Sequence, residues 1–430
     1  MKIAFFKKNI TPEIGAYLAG YSLEDKSLAK RDDLFFTGLC ADDGERKVLI
    51  ISFDLLGLDE WFITKVRQGC AALLNIPQEA IMLTCTHTHS GPETRTLASA
   101  PEQLYTAYLE RLESSILEEV RNMSEFRECT VFYYSSRCDL NRNRRYVTAC
   151  NNASFTPYRR EVVPIAAGYA DQELGELIFI DNETRMPLYV VGNYAAHPLA
   201  GHAPGIGGRT ISADFPGAFR NYVTAETAAE CMFISGAAGD LVPKEDEMGS
   251  DAVERMGISL AKAAIGGMID APRNPARFKM EDAKVGAKSK KVMVPVRKQK
   301  LESLNKYYIG QKEVEMEMQV IAIGDFCFVG VPGELCCEVG QEIKWHSPFR
   351  RTCIAYNSTA YLSYIGHANM LIAGGYEGNA QFFTARCGLM LLNTAVDAMF
   401  ELREELYPSP EGECYPDNCK NKLVNIPVNS

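Results

Sequence analysis

Short apolar runs of strand length alternate with longer segments of helical periodicity, and this alternation limits the fold more than any other feature of the chain. KVLIISFDLLGL reads as a buried strand ending near Asp54, and a helical segment follows from about Glu60 to Leu74. AIMLTCTHTH then reads as a second buried strand. In SAPEQLYTAYLERLESSILEEVRN, Leu104, Tyr108, Leu112, Ile116 and Val120 recur at helical spacing, with Ser99, Pro101 and Glu102 as a start signal. ELIFIDNETRMPLYVVGNYAAHP reads as a pair of strands turning at Asn182, and ECMFISGAAGD as a buried strand with a Gly-rich turn. Helices are expected over about Asp251 to Ile269 and Thr384 to Leu406. Between them the texture is of alternating strands, with a turn at Gly324–Asp325 and a last strand at TCIAYN.

Interleaved strands and helices predict an α/β fold with a mixed sheet and flanking helices. One catalytic unit over residues 1–408 is expected, with lobes 1–275 and 276–408 and an extended polar tail over 409–430. No internal sequence repeat stands out. The 430 residues carry a net charge of −10, which argues against a nucleic-acid partner, since phosphate binding needs a basic footprint. The basic stretch from Lys284 to Lys312 is offset by neighbouring acids and reads as a solvated strand face. No run reaches the ~18 apolar residues of a membrane span. The apolar start is too short for a secretion signal, so a cytoplasmic protein is expected. The 14 cysteines form no CxxC pair and mostly sit in apolar runs, as in a reducing compartment. Cys414 and Cys419 are close enough in sequence for a local bridge or metal clip.

The chain has only six histidines, and LTCTHTHSGPE places His87 and His89 one residue apart at the end of an apolar strand. Residues i and i+2 of a strand face the same way, so the pair is expected to project together, a common metal-binding arrangement. The alternative is two surface histidines in a loop. His197 ends a second strand in NYAAHP and is a candidate third imidazole. His202 lies in the Gly-rich loop AGHAPGIGG, on the substrate side or merely in the loop; His346 and His367 carry no such context. Glu334 follows FCFVGVPG, where a carboxylate is costly to desolvate unless paired or bound to a cation. Tyr364 and Tyr376 flank IGHANMLIAGG with no local sign of a special role.

CTHTHSGP resembles the signature of the neutral ceramidase family, the alkaline, non-lysosomal type with a zinc-dependent amidase domain. ITPEIGAYLAGY, DLNRNR, NYAAHP, ISADFPG, SGAAGD, VPGEL and AYLSYIG…GGYEGNA resemble further family segments in the same order, from about residue 3 to 405. The resemblance implies a neutral-ceramidase-like fold and a Zn2+ ion held by His87, His197, Glu334 and Tyr364. It assigns catalysis to His89, with Arg142 and Tyr376 polarising the substrate; the run NRNRR leaves Arg144 and Arg145 as alternative registers for that arginine. In that scheme zinc activates water, His89 carries the proton to the leaving amine, and the oxyanion is stabilised by the metal, Tyr376 and the arginine.

The sequence departs from the family at Glu93, where ceramidases continue with glycine, and in the loops SADFPG and SGAAGD. It also leaves no room after the last helix for the family's C-terminal β-sandwich. These departures point away from ceramide and towards a smaller, soluble amide, with His202 and Arg209 as substrate-binding candidates. The expected activity is hydrolysis of a C–N amide bond. The alternatives are an esterase or lactonase on the same centre, a TIM-barrel amidohydrolase, whose HxH follows the first strand, and a non-catalytic binding protein with a structural metal.

Overall fold

The computed structural model describes residues 1–20, 26–95, 105–148, 153–154, 164–201, 209–244, 251–304 and 307–408. The tail expected over 409–430, and with it Cys414 and Cys419, lies outside them.

One supersecondary pattern occurs three times along the described chain. The first unit has antiparallel strands Lys2–Asn9, Phe35–Asp42 and Lys47–Phe53, then helix Glu60–Leu74. Strand Ile81–Cys85 follows, parallel to Lys47–Phe53, and helix Thr106–Asn122 closes the unit. The second runs through strands Arg127–Arg137, Glu173–Asp181 and Pro187–Tyr194, helix Asp214–Thr227, the parallel strand Glu230–Ser235 and helix Ala252–Arg273. The third has strands Val285–Pro295, Glu313–Ile323 and Phe326–Gly330, helix Cys337–Trp345, the parallel strand Arg351–Ala355 and helix Cys387–Leu406. The repeat is invisible in the sequence because each unit fills its core with different side chains and has its own loop lengths.

The first two units join through Lys2–Glu128 and Ile3–Arg127 into one eight-stranded sheet, while the third forms a four-stranded sheet. That junction is only two residue pairs long. The outer strands of the eight-stranded sheet nevertheless meet: Ser52 Oγ donates to Phe233 O at 2.6 Å and Ser235 Oγ to Thr86 O at 2.7 Å. Apolar faces of all three units close over one cluster, with Leu39, Ile50 and Met82 from the first unit. Leu177, Tyr189 and Met232 come from the second, and Ile321, Phe328 and Cys353 from the third. Each such large buried side chain contributes roughly 1.5–3 kcal/mol through removal from water.

Helices cover the outer faces. Phe62, Ile63, Val66 and Cys70, with Leu109, Leu112, Ile116 and Val120, bury the first unit's sheet. Phe215, Phe219 and Val223 with Met256, Leu260 and Ala264 do so for the second, and Leu391, Ala395, Leu402 and Leu406 for the third. Helix Asp214–Thr227 begins inside ISADFPG, expected as a loop, and carries its signal in Phe215, Phe219 and Val223 at four-residue spacing. The start signal read at Ser99, Pro101 and Glu102 lies outside the described residues. The basic stretch forms a solvated face whose Lys288 and Lys290 pair with Glu401 and Lys291 with Glu315. The described cysteines are unbridged and buried.

One buried carboxyl works against this packing. Glu176 is wholly buried, its Oε1 accepts only from Ser136 at 3.1 Å, and Oε2 has no hydrogen-bond partner. Burial raises its pKa well above the ordinary value, so the folded protein holds it neutral. Above the unfolded pKa folding must therefore take up a proton, and stability falls by about 1.4 kcal/mol per pH unit until the folded pKa is reached. Glu176→Met is expected to raise the urea midpoint at pH 8 and to have its smallest effect near pH 4, as urea melts at both pH values will show.

Candidate metal centre

The chain ends of the parallel pairs from all three units converge. Thr84 Oγ1 donates to Tyr356 O at 2.7 Å, Tyr356 N to Ser235 O at 3.0 Å, and Ser235 Oγ to Thr86 O at 2.7 Å. This ring of contacts links first unit to third, third to second and second to first. Beside it His87 follows strand Ile81–Cys85, His197 follows Pro187–Tyr194 and Glu334 follows Phe326–Gly330, each buried.

The strand ends at Cys85, and His87 has a left-handed backbone, φ 72°. His87 and His89 therefore meet through a turn rather than through strand alternation; their Nε2 atoms lie 3.3 Å apart. The turn is fixed by Thr86 N to Phe53 O and His87 N to Leu55 O, at 2.8 and 2.9 Å. Gly20, at φ +92°, makes room for it: a Cβ there would fall 2.4 Å from His89 Nδ1. The metal-capable atoms of His87, His89 and His197 all lie within 4.8 Å of one another.

Both buried imidazoles are oriented by backbone. His87 Nδ1 donates to Leu56 O at 2.7 Å, and the Asn357 amide lies 2.9 Å from the same nitrogen. His197 Nδ1 donates to Ala238 O at 2.7 Å, with Leu241 O at 3.0 Å. A carbonyl only accepts, so Nδ1 carries a proton and Nε2 is the atom that each ring turns to the site. Those two nitrogens face one oxygen: Glu334 Oε2 is 3.5 Å from His87 Nε2 and 3.3 Å from His197 Nε2. His197 Nε2 makes no hydrogen bond of good geometry there. Burial, then the Arg144 charge, push the His197 pKa down to about 4, so it is neutral at physiological pH. Two backbone-anchored imidazoles and a carboxylate, buried together, are a donor set suited to zinc.

Tyr364 pairs in register with Glu334 in a short parallel ladder, and its hydroxyl accepts from Arg144 Nη2 at 3.1 Å. The Tyr376 ring lies 5.5 Å from that of Tyr364 and is half exposed at the rim. Arg144 sits against both rings, is buried, and pairs with Glu377 at 2.6 Å. Its guanidinium also donates to Gly239 O at 2.9 Å. Gly239 is needed there, because a Cβ would fall 2.7 Å from Glu334 O. Arg142 lies on strand Asn141–Asn143 paired with Val242, half buried, between two asparagines that point into the core. From that run Arg144 reaches Tyr364 through its guanidinium. His202 falls outside the described residues. Arg209 is exposed, its carbonyl accepting from Leu28 N at 2.7 Å.

Sequence reasoning missed four residues of this centre. Tyr361 donates to Glu334 Oε1 at 2.5 Å and Tyr356 to Oε2 at 3.3 Å. Asn357 lies against His87, and Glu377 neutralises Arg144 and Arg145. Tyr361 and Glu377 lie in AYLSYIG and GGYEGNA, which resemble family segments, while nothing local marks Tyr356 or Asn357. The acidic loops prove to be braces: Asp214 accepts from Ala200 N and Gly201 N, and Asp240 from Cys337 N and Asn143.

No family model and no curated protein matches the sequence. Solved structures do. The neutral ceramidase from Pseudomonas aeruginosa superposes with a TM-score of 0.75 at 18% identity, covering 97% of this chain and 77% of that one. A ceramidase complexed with C2 gives 0.73 at 17% identity, covering 94% of this chain and 75% of its own. The mixed-sheet α/β expectation is borne out, and over nearly its whole length the chain has the neutral ceramidase fold, in a form spanning about three quarters of the ceramidase chains.

Proposed function

We propose that this protein is a zinc-dependent hydrolase that cleaves the C–N bond of a linear amide. The observation that carries this reading is the pair of buried imidazoles whose Nδ1 protons are committed to carbonyls while both Nε2 atoms face Glu334. That set meets the requirements of a zinc site, including the oriented outer hydrogen bonds that such ligands need. His87, His197 and Glu334 would hold the ion, with Tyr364 as the fourth protein group. Bound zinc supplies a water of pKa roughly 7 and polarises a carbonyl.

The remaining chemistry belongs to the chain. His89, less buried than His87, takes a proton from the attacking water and delivers it to the leaving nitrogen. Arg144, fixed by Glu377 and Gly239 O, keeps positive charge beside Tyr364 and Tyr376, where negative charge develops on the substrate oxygen. The likeness to ceramidases supports an amide as substrate. The departures at Glu93 and in the acidic loops support a smaller, soluble N-acyl compound over ceramide, selected with help from His202 and Arg209. The unbridged buried cysteines support a cytoplasmic setting, and no described helix is long and apolar enough to cross a membrane.

His89→Ala decides how the three imidazoles divide their work. As the proton carrier, its loss is expected to lower kcat about 10²–10⁴-fold while zinc stays stoichiometric by elemental analysis. Zinc lost with His89 would make it a ligand instead. Product analysis on a panel of N-acyl amides, esters and lactones separates amidase from esterase. A zinc-loaded wild-type protein that hydrolyses none of them would overturn the enzyme reading in favour of a binding protein.

A further inference from the structure

Glu334 is gripped through the oxygen that the imidazoles do not face. Tyr361 donates to Oε1 at 2.5 Å, while Oε2, which takes only a long bond from Tyr356 at 3.3 Å, faces His87 and His197. The Tyr361 ring is itself wedged. It lies stacked on His87, with centroids 6.1 Å apart and planes at 23°, and packs on Gly57, where a Cβ would fall 2.5 Å from the ring. On the ring sits the Arg95 guanidinium, 4.8 Å from the centroid. Arg95 is in turn locked by Glu93, which accepts from its backbone N, Nε and Nη2 at 2.9, 2.8 and 2.6 Å. Glu93 and Arg95 are both buried, so this ion pair is held without solvent screening.

We propose that Tyr361, clamped by the Glu93–Arg95 pair, is a positioning residue that makes Glu334 present a single oxygen to the cation. This rests on the metal-centre reading above. The physical reason is that a carboxylate free to rotate offers either oxygen or both, and binding must then absorb the cost of ordering it. A hydroxyl bound to Oε1 fixes the rotamer beforehand and removes that oxygen from competition. The clamp also gives Glu93 a task at the very position where the sequence departs from the ceramidases.

The test is zinc affinity, measured by competition with a chromophoric chelator on the full-length protein, together with the visible spectrum of the Co2+-substituted form. Tyr361→Phe keeps the ring on His87 and under Arg95 and removes only the hydroxyl. It is expected to weaken zinc binding about 10–100-fold and to alter the cobalt bands, with apo-protein melting unchanged. Wild-type affinity and an unaltered cobalt spectrum in that variant would overturn the proposal. Should the variant not fold, Arg95→Lys gives the same reading, since it keeps the charge for Glu93 and loses the flat contact on the ring. It is expected to weaken zinc several-fold, and an unchanged affinity there overturns the proposal equally. A wild-type protein without stoichiometric zinc would instead defeat the metal-centre reading itself, so the two failures are distinguishable.

Discussion

A His87→Ala protein is expected to emerge from gentle purification without stoichiometric zinc and with amide hydrolysis at background. The loss should be complete because two groups are stranded together. Glu334 loses one of the two imidazoles that face it, and His197 is left facing a buried carboxylate alone. The apo form of the variant should melt below apo wild type, since the buried His87 ring also packs against Asn357, Glu334 and Tyr361. A second difference appears on adding metal: zinc stabilises wild type by linkage, about 2.7 kcal/mol at a free concentration 100 times Kd, and leaves the variant unmoved. His346→Ala is the matching control, because His346 is exposed and its Nδ1 only faces Glu342 O. Equal zinc content in both variants would remove His87 from the metal centre.

Replacing Arg144 with alanine has the second-largest expected effect, and it acts on both activity and stability. Loss of a fixed positive group beside the developing oxyanion typically raises a barrier by about 2.7–4 kcal/mol, so kcat should fall about 10²–10³-fold. Glu377 would be left buried with Arg145 as its remaining ion-pair partner, and the hydroxyl of Tyr364 would lose its donor. Breaking a buried pair costs about 3–5 kcal/mol, and the retained Arg145 contact places this case at the lower end. Arg144→Lys keeps the charge but not the fork that reaches Glu377, Gly239 O and Tyr364 together, so it should rescue stability more than rate. Urea melts and kcat at saturating substrate give the two numbers. A loss of stability with kcat intact would make Arg144 part of the scaffold alone.

The strand and helix alternation was legible because each element buries one face with a regular period. Helix Glu60–Leu74, the turn at Asn182 and the hairpin at Gly324 follow from residues within a few positions of each other. His87, His89 and His197 were legible because imidazoles at the ends of apolar strands are unusual, and Glu334 because a carboxylate there needs a partner. Tyr361, Tyr356 and Asn357 were not, since their roles depend on packing against segments about 270 to 300 residues distant or on one hydroxyl in a buried cluster. The register among the three arginines in NRNRR likewise depends on tertiary contact. Arg144 leaves the short strand just where it ends, its backbone tied to Asp240 O, and so turns inward.

The threefold repetition of the supersecondary pattern has a thermodynamic corollary. On the proposed reading the first unit supplies His87, the second His197 and the third Glu334, so no third of the chain would bind the ion alone. Metal capture would wait until the final unit had been synthesised and docked. The ion would then act as a rivet through the centre of the assembly: its binding energy would resist separation of all three parts at once, and starving the cell of zinc would loosen the whole molecule rather than one corner of it.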